Sequence, residues 1–406
     1  MNEDALVAAV RSGDAEAVGA LLEGGADPDT VDEQGVPVLC LAVAAYDSPV
    51  TDALMNGGAD ANRPLPNGET PLLQAIDGGS NSLASRLLGD PARLSEATRT
   101  QLLDRARHWH EAGVINELRR RTGISGPPGR IRVSDRYWYT DHDELTLGGL
   151  TVRDGHAAIL TDFEAGFGIR TPFGELLARA LAHPDPEHAD WSSVRSVLGR
   201  RQDEETWAAA AELRHHPDPT HRLFAADVLW YINFVDLNPL SHSLEPKPYE
   251  QRGLEVFLPW AVEETDRTVL LAVLHGLNDF DDPRAEAVGL TYLTHPDPEL
   301  RIMVPATSDT MTVLARDADP GIRRSACYWL AEHGDHSIEV VDVLAELLHE
   351  GDQLTRIWAV YGLADRDDPR CVEGQRRVGP VDRKDWDDGW IIDAAERYER
   401  RRDGRR

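Results

Sequence analysis

Apolar residues stand three or four positions apart through much of this chain, which is the spacing of a helix with one buried face. The pattern is clear after residue 320, at Ile322, Ala326, Trp329 and Leu330. Asp319 and Pro320 come directly before it. An Asp-Pro pair is typical of a helix start, because the carboxylate accepts from the first amides and proline lacks an amide that needs a partner. The pattern therefore predicts a helix that begins at this pair.

This helical unit is repeated, so the pattern describes an array of helices. Each copy begins with Asp at a turn and ends eleven residues later, and the copies span residues 218–229, 266–277, 297–308, 319–330 and 352–363. In four copies an arginine follows the Asp by four positions: Arg222, Arg301, Arg323 and Arg356. Two interpretations stay open. The arginines bond the Asp or a carbonyl of the adjacent repeat, or they form a ladder of guanidinium groups that faces a ligand.

The Asp residues are unevenly spaced, and pairs of helical segments alternate with Asp-bearing turns between about residues 172 and 372. This arrangement is similar to HEAT-like repeats, a family of stacked helix pairs with an Asp at the turn and an Arg in the second helix. The resemblance implies a solenoid, in which each helix pair packs only against its neighbours.

A second repeat, with a period of 33 residues, occupies residues 4 to about 90. Leu-Leu-Glu-Gly-Gly-Ala-Asp-Pro-Asp at 21–29 returns as Leu-Met-Asn-Gly-Gly-Ala-Asp-Ala-Asn at 54–62, and Gly-Glu-Thr-Pro-Leu follows at 68–72. These motifs closely resemble the ankyrin repeat. The resemblance implies units that begin at Asp4 and Asp32, and a third that begins at Asn67 and loses the pattern after Ser82. We expect the helices predicted between residues 95 and 121 to cap this block.

The ankyrin resemblance also implies where a partner binds. In ankyrin repeats the concave surface is usually built from turn tips and first helices, which by position correspond to Asp32, Glu33, Tyr46, Asp47, Leu65, Asn67 and Asp77. Because four of these residues are acidic, we expect a protein or peptide partner with a basic surface. The four arginines of the second array are the other candidate contact residues.

Residues 122–171 depart from both repeats. Gly-Pro-Pro-Gly at 126–129 predicts a turn or linker. Further on, the short segments fit strands and helix fragments equally well; they are 145–150, 151–153 and 157–160. A segment that interrupts a repeat array is a natural place for a special function.

An alternative pocket is therefore expected in this connector, around Tyr137, Trp138, Tyr139, Asp141 and His142. Residues 141–144 are Asp-His-Asp-Glu, all of them metal-ligand types. Four adjacent residues cannot all point at one ion, so a solvated loop is the favoured interpretation.

Three histidines, His183, His216 and His295, each precede Pro-Asp-Pro. Packed helices lie about 8–10 Å apart, whereas each ligand of a zinc ion lies about 2 Å from it. Equivalent histidines of successive repeats therefore cannot share an ion, and the helix dipole explains their place at helix C-termini. The sequence has no Ser-His-Asp arrangement, glycine-rich phosphate loop or dinucleotide fingerprint. It predicts neither a cofactor nor a metal.

The formal net charge of −29 argues against a nucleic-acid partner, because most of the surface would repel a phosphate backbone. No apolar run approaches the roughly 20 residues that a membrane span needs, so no membrane partner is expected. Cys40, Cys327 and Cys371 lie far apart and form no Cys-x-x-Cys pair. This pattern suggests neither a disulfide framework nor a thiolate zinc site, and it favours a reducing, cytoplasmic compartment.

Together these patterns predict an all-α, helical-repeat solenoid with a short irregular connector. Its four segments are an ankyrin block with capping helices at 1–121, the connector at 122–171, HEAT-like repeats at 172–372, and a C-terminal cap helix with a basic tail at 373–406. The predicted function is non-catalytic binding of a protein or peptide on concave repeat surfaces, as a scaffold or adaptor. The alternative is an enzyme or small-molecule-binding protein with a pocket between residues 135–170 and the helical repeats.

Overall fold

The computed structural model describes residues 2–65, 67–135, 140–234, 249–381 and 389–403. In these ranges the chain is mostly helical, with one three-stranded antiparallel sheet. The expected helical-repeat fold class is therefore confirmed. The chain forms two compact units, the N-terminal unit at residues 1–244 and the C-terminal unit at residues 245–406. No helix of the described part is long and apolar enough to cross a membrane.

Three helix pairs begin the N-terminal unit. They are α1 (Asn2–Ser12) with α2 (Ala15–Glu23), α3 (Val38–Ala44) with α4 (Ser48–Asn56), and α5 (Pro71–Gly78) with α6 (Asn81–Leu88). Thr70 begins α5 as the Gly-x-Thr-Pro-Leu motif predicts, because its side chain accepts from the amide of Leu73 and Pro71 fills the first turn. The third pair is complete, although the repeat pattern weakens after Ser82.

The hydrophobic core of these pairs continues into two further helices, α7 (Glu96–Ala112) and α9 (His156–Gly166). Helix α7 packs against α5, and α9 packs against both α6 and α7. Leu102 and Ala106 of α7 and Phe163 of α9 are buried in the same core as the ankyrin pairs. The stack therefore gains a fourth pair whose members are far apart in the sequence.

Between these two helices the chain inserts α8 (Val114–Thr122) and the sheet, β1 (Gly129–Asp135), β2 (Thr140–Leu147) and β3 (Leu150–Arg153). The strands form an antiparallel meander. Gly148 and Gly149 both have positive φ between β2 and β3, as a two-residue hairpin turn requires. The sequence fitted strands and helix fragments equally well in three segments. The structure forms strands in the first two, up to Arg153, and a helix at residues 157–160.

Helix pairs continue the N-terminal unit after the sheet. They are α10 (Phe173–Ala182) with α11 (Ala189–Arg201), and α12 (Glu204–Leu213) with α13 (Pro219–Phe234). Helix α11 packs between α9 and α13. The division into four segments remains a prediction. The boundary between the two compact units, at residue 244, lies within the third predicted segment, 172–372.

The C-terminal unit contains α14 (Glu250–Glu263), α15 (Arg267–Asn278), α16 (Pro283–Leu290), α17 (Pro298–Ile302), α18 (Ser308–Leu314), α19 (Pro320–Glu332), α20 (Ile338–Leu347), α21 (Gln353–Asp365), α22 (Arg370–Val378), α23 (Gly389–Ile392) and α24 (Ala394–Asp403). The predicted helix start at Asp319 is confirmed, since its carboxylate accepts from two amides of the first turn. The copy that begins at Asp297 is different. Its helix α17 ends at Ile302, because Pro305 and the residue before it disfavour a longer helix.

Candidate functional site

The sheet is held against the ankyrin block by close backbone contacts. The amide of Gly155 donates to the carbonyl oxygen of Gly79 at 3.1 Å. Gly79 has φ +69°, and a Cβ atom there would lie 1.9 Å from the carbonyl oxygen of Arg153. A side chain at Gly79 is therefore excluded by both its backbone conformation and its neighbour.

On its other side the sheet meets the start of α11. The amide of Asp141 donates to the carbonyl oxygen of Glu187 at 2.7 Å, next to an isolated bridge between Asp141 and His188. These contacts bring together two distant segments of the N-terminal unit, the end of β3 and the turn between α10 and α11. They form the His-Asp cluster: Asp154, His183, His188 and Asp190.

The His-Asp cluster is mostly buried, with half-exposed His183 as its outer member. His183 Nδ1 donates to Asp190 Oδ2 at 2.8 Å, and its Nε2 lies 3.5 Å from Asp154 Oδ2. His188 Nε2 lies 3.1 Å from Asp154 Oδ1. Asp190 also accepts from the amide of Ala158 at 2.8 Å, in the first turn of α9. Two buried carboxylates thus share two imidazole rings and one helix N-terminus.

The hydrogen bond to Asp190 raises the pKa of His183, because the neighbouring carboxylates favour its charged form. The pKa of Asp154 is lowered: burial acts to raise it, but the hydrogen bond from His188 and the nearby charge of His183 outweigh burial. The surroundings of His183 in the cluster therefore favour its charged form over the neutral ring.

Among the described residues, Asp154, His183 and His188 are close enough to hold a metal ion, with ligand atoms within 4.8 Å of one another. The hydrogen bonds disfavour this use. The amide of Asp190 donates to Nδ1 of His188 at 3.1 Å, so the ring carries its proton on Nε2, where it donates to Asp154. A metal at Nε2 would have to displace that proton and break the amide bond.

A cavity of about 330 Å³ lies beside the cluster in the N-terminal unit. Trp109, His110, Asp154, His156, His183 and Asp190 are among its lining residues. Cavities of this size hold small molecules. The alternative pocket was predicted from five residues of the connector. Tyr137, Trp138 and Tyr139 lie outside the described residues.

Asp141 and His142 do not line this cavity. Asp141 accepts from Ser134 at 2.6 Å and pairs with Arg132 at 3.0 Å. His142 is buried, and its Nε2 lies 3.0 Å from Asn81 Oδ1. The spacing of His183, His188 and Asp190 was a local signal for the cluster. Nothing in the sequence connects Asp154 or His156 with these residues.

Two histidines near the sheet are held neutral. His142 and His156 are almost completely buried, and burial lowers the pKa of each to about 4. His156 stacks on Trp109, with ring centroids 4.5 Å apart. Trp109 in turn donates its Nε1 proton to Asp77 at 2.6 Å.

Acid should destabilise the N-terminal unit between pH 6.5 and 4. In this window the unfolded chain binds a proton at His156 and the folded chain does not, so stability falls as the pH is lowered. His156→Leu should reduce the slope of unfolding free energy against pH by up to about 1.4 kcal/mol per pH unit. Urea unfolding at a series of pH values measures the slope. Above pH 7 the two proteins should give parallel curves, and equal slopes below pH 6.5 would contradict the prediction.

The predicted partner-binding acids of the ankyrin block mostly have partners within the chain. Asp32 accepts from Arg11 at 2.8 Å and from two backbone amides, and the amide bond to Val36 is the main cause that lowers its pKa. Asp47 accepts from the amide of Val50 and caps α4. Asp77 accepts from Trp109, Arg105 and Arg121.

The other predicted contacts in this block differ in exposure. Glu33 and Asn67 are exposed at turn tips, and Leu65 is half-buried. Tyr46 donates from its hydroxyl to the carbonyl oxygen of Gly78 at 2.7 Å, and it lies 3.3 Å from that of Thr151. Burial raises the pKa of Tyr46 to about 12. Tyr46 thus helps to join the block to the sheet.

The four arginines of the second array share one local contact. The Nη1 group of each donates to two carbonyl oxygens of the turn before its helix, as in the bonds of Arg222 to His216 and Pro217. The same pattern holds for Arg301, Arg323 and Arg356.

Two of these arginines also reach a carboxylate beyond their own helix. Arg301 forms a two-bond ion pair with Asp317, and Arg323 does so with Glu350. These contacts correspond to the interpretation in which the arginines bond other groups of the repeat array, and not to the one in which they face a ligand.

The C-terminal unit carries an aromatic row, Tyr328, Trp358 and Tyr361, on α19 and α21. Tyr328 is exposed, whereas Trp358 and Tyr361 are half-buried against the core. Tyr328 meets Trp358 edge to face, with centroids 4.7 Å apart, and Trp358 meets Tyr361 in the same way at 5.8 Å. Tyr328 is 49% exposed, and Leu354 beside the row is 40% exposed. Sequence reasoning did not single out this row.

Of the two predicted repeat arrays, comparison with known proteins supports the N-terminal one. Residues 6–97 match the family model of ankyrin repeats in three copies, so the N-terminal ankyrin repeats are shown. The Escherichia coli protein YibA, known from an X-ray structure, aligns with 57% of this chain and 93% of its own, at 16% sequence identity and a TM-score of 0.42. A likeness this weak supports no argument about fold or function. No curated protein sequence matches the chain.

Proposed function

From the N-terminal ankyrin repeats and the helical-repeat fold, we propose that this chain is a non-catalytic scaffold that binds a protein or peptide. The observation that carries the proposal is the aromatic row. Exposed aromatic side chains are enriched at protein interfaces, where they bury a large area at a low cost in conformational entropy. Tyr328, and Leu354 one helical turn before Trp358, are exposed far more than a helix core requires.

The charges beside the row suit a basic partner. Glu332 follows Tyr328 by four positions and Asp365 follows Tyr361 by four, so each acid lies on the same helix face as an aromatic ring. Both acids are exposed. We expect a bound peptide to place apolar or aromatic side chains against the row and basic side chains toward these carboxylates.

The ankyrin block supplies the second proposed contact surface. Exposed Glu33 and Asn67 stand at its turn tips, and the acids among the seven predicted residues again favour a basic partner. Asp32 and Asp77 are each bonded to other side chains of this chain. Neutralising either acid would also remove that internal contact, so the exposed residues are the better targets for mutation.

Tyr328→Ser combined with Leu354→Ser should weaken partner binding by at least about tenfold, since an aromatic anchor at an interface is worth about 2 kcal/mol. The partner is first captured from a lysate of the native host with the tagged chain. It is identified by mass spectrometry, and its affinity for each variant is then measured by calorimetry. Both residues are exposed by 40% or more, so the variant should fold.

Val313→Ser is the matched control, because Val313 is 54% exposed on α18 and lies outside the row. It should bind as the unchanged chain does. Equal affinity of all three proteins would remove the row from the proposed surface. Failure to capture any basic protein at a fixed ratio would count against the scaffold function as a whole.

A second candidate function is binding of a small molecule in the N-terminal unit, either as a ligand or as the substrate of an enzyme. It is favoured by the cavity of about 330 Å³, where the pKa values of Asp154, His156 and His183 are all shifted. Grouped shifts of this kind mark candidate functional sites. Native mass spectrometry of the purified chain, followed by release and identification of any bound small molecule, tests this candidate. If every preparation shows only the mass of the protein chain, with no added mass from a bound molecule, the result would argue against this candidate.

A further inference from the structure

A larger cavity, of about 790 Å³, lies elsewhere in the N-terminal unit, along α11. One side of it consists of α11 residues at helical spacing, namely Ser192, Ser193, Arg195, Ser196, Arg200 and Arg201. Asp162 of α9 and Arg170 also line it. Hydroxyl and guanidinium groups therefore converge on one space, which is unexpected in a chain whose formal net charge is −29.

The arginines of this cavity are not all neutralised. Arg170 pairs with Asp203 and Glu205, and Arg195 pairs with Asp227. Arg200 is exposed and, within the ranges that the structure describes, forms no ion pair.

Arg201 is also without a salt-bridge partner in the described part of the chain. It donates to the carbonyl oxygen of Thr171 at 2.7 Å, and both burial and the neighbouring charge of Arg170 lower its pKa. Two guanidinium groups that line the cavity, those of Arg200 and Arg201, thus remain available for an anion.

Among the described residues that line the cavity, the one carboxyl group is that of Asp162, and it does not oppose an anion strongly. Asp162 accepts from Ser193 at 3.1 Å and is also bonded by Ser85. Burial raises the pKa of Asp162 to about 7, against the opposing effect of Arg200. Near neutral pH this carboxyl therefore carries a proton much of the time and can donate a hydrogen bond.

We propose that this cavity binds a phosphorylated small molecule, whose phosphate is held by Arg200, Arg201 and the hydroxyls of Ser192 and Ser196 on α11. A guanidinium group offers several donors in a plane and matches phosphate oxygens in pairs, and the hydroxyls donate to the remaining oxygen. The volume exceeds that of a phosphate alone and has room for a sugar or nucleoside. This site is separate from the aromatic row and does not depend on the scaffold function.

The test is calorimetric titration of the full chain at physiological salt with glucose 6-phosphate, adenosine monophosphate and inorganic phosphate. Glucose and citrate serve as the uncharged and carboxylate comparisons. At least one phosphate ester should bind with a Kd below about 1 mM. Arg200→Gln with Arg201→Gln should weaken that binding by at least about tenfold, because charged hydrogen bonds are lost.

Arg119→Gln is the matched control, because this arginine is exposed on α8 and does not line the cavity. It should bind the ester normally. Arg200→Gln alone, at an exposed position, should keep the fold intact and still weaken binding. No ester binding below about 1 mM, equal losses in the control, or citrate binding as tightly as the ester would each overturn the proposal.

Discussion

Gly79→Ala should destabilise the N-terminal unit by about 2–5 kcal/mol. A left-handed backbone costs a non-glycine residue about 1–2 kcal/mol, and forcing an extra carbon into a packed site costs about 1–3 kcal/mol more. The second cost is certain to arise here, because the new Cβ would lie 1.9 Å from the carbonyl oxygen of Arg153. Hydrogen exchange measured by mass spectrometry should show lost protection in both α5 and β3.

Gly58→Ala is the matched control for this variant. Gly58 also has positive φ, at +94°, but a Cβ there meets nothing within 4 Å. It should cost about 1 kcal/mol, and protection of β3 should be unchanged. If both substitutions cost the same, the sheet is not held against Gly79.

Asp190→Ala should destabilise the same unit by about 1–3 kcal/mol, the cost of leaving a buried donor without its acceptor. The substitution leaves the amide of Ala158 and the Nδ1 proton of His183 without their acceptor. The pKa of His183 should also fall, because its hydrogen bond to Asp190 is the main cause of its raised value. Urea unfolding measures the first effect, and nuclear magnetic resonance titration of the imidazole measures the second.

Glu187→Ala is the control for Asp190. Glu187 lies three residues earlier and its side chain is exposed, so its loss should change stability by less than about 0.5 kcal/mol. Asp190→Asn, which retains an oxygen acceptor for Ala158, should be less damaging than the alanine variant while still lowering the pKa of His183. An unchanged pKa of His183 in both variants would contradict the proposed charge sharing.

Local features of this protein were predictable, because the forces that produce them act over a few residues. Thr70 and Asp319 bond amides two or three positions away, so their place in the sequence is enough to identify a helix start. The 33-residue period likewise identified the ankyrin pairs, since each unit repeats the same local turn.

The arginines show where local information ends. Sequence reasoning left two interpretations for Arg301 and Arg323 because a guanidinium group can bond a turn or face a ligand equally well. Their carboxylate partners, Asp317 and Glu350, are 16 and 27 residues away. The spacing of the repeats alone could not identify those partners, because it varies from copy to copy.

By itself, the sequence determined the helical-repeat class, the ankyrin motifs and many helix starts, all of which depend on short-range hydrogen bonds and on the spacing of apolar residues. Tertiary structure alone decided that α9 completes a pair with α7, that Asp154 joins His183, and that Arg200 and Arg201 line a cavity with Asp162. These arrangements depend on where the inserted sheet docks. Docking is decided by steric fit at contacts such as Gly79 with Gly155, between residues far apart in the sequence, and no short motif records such a fit.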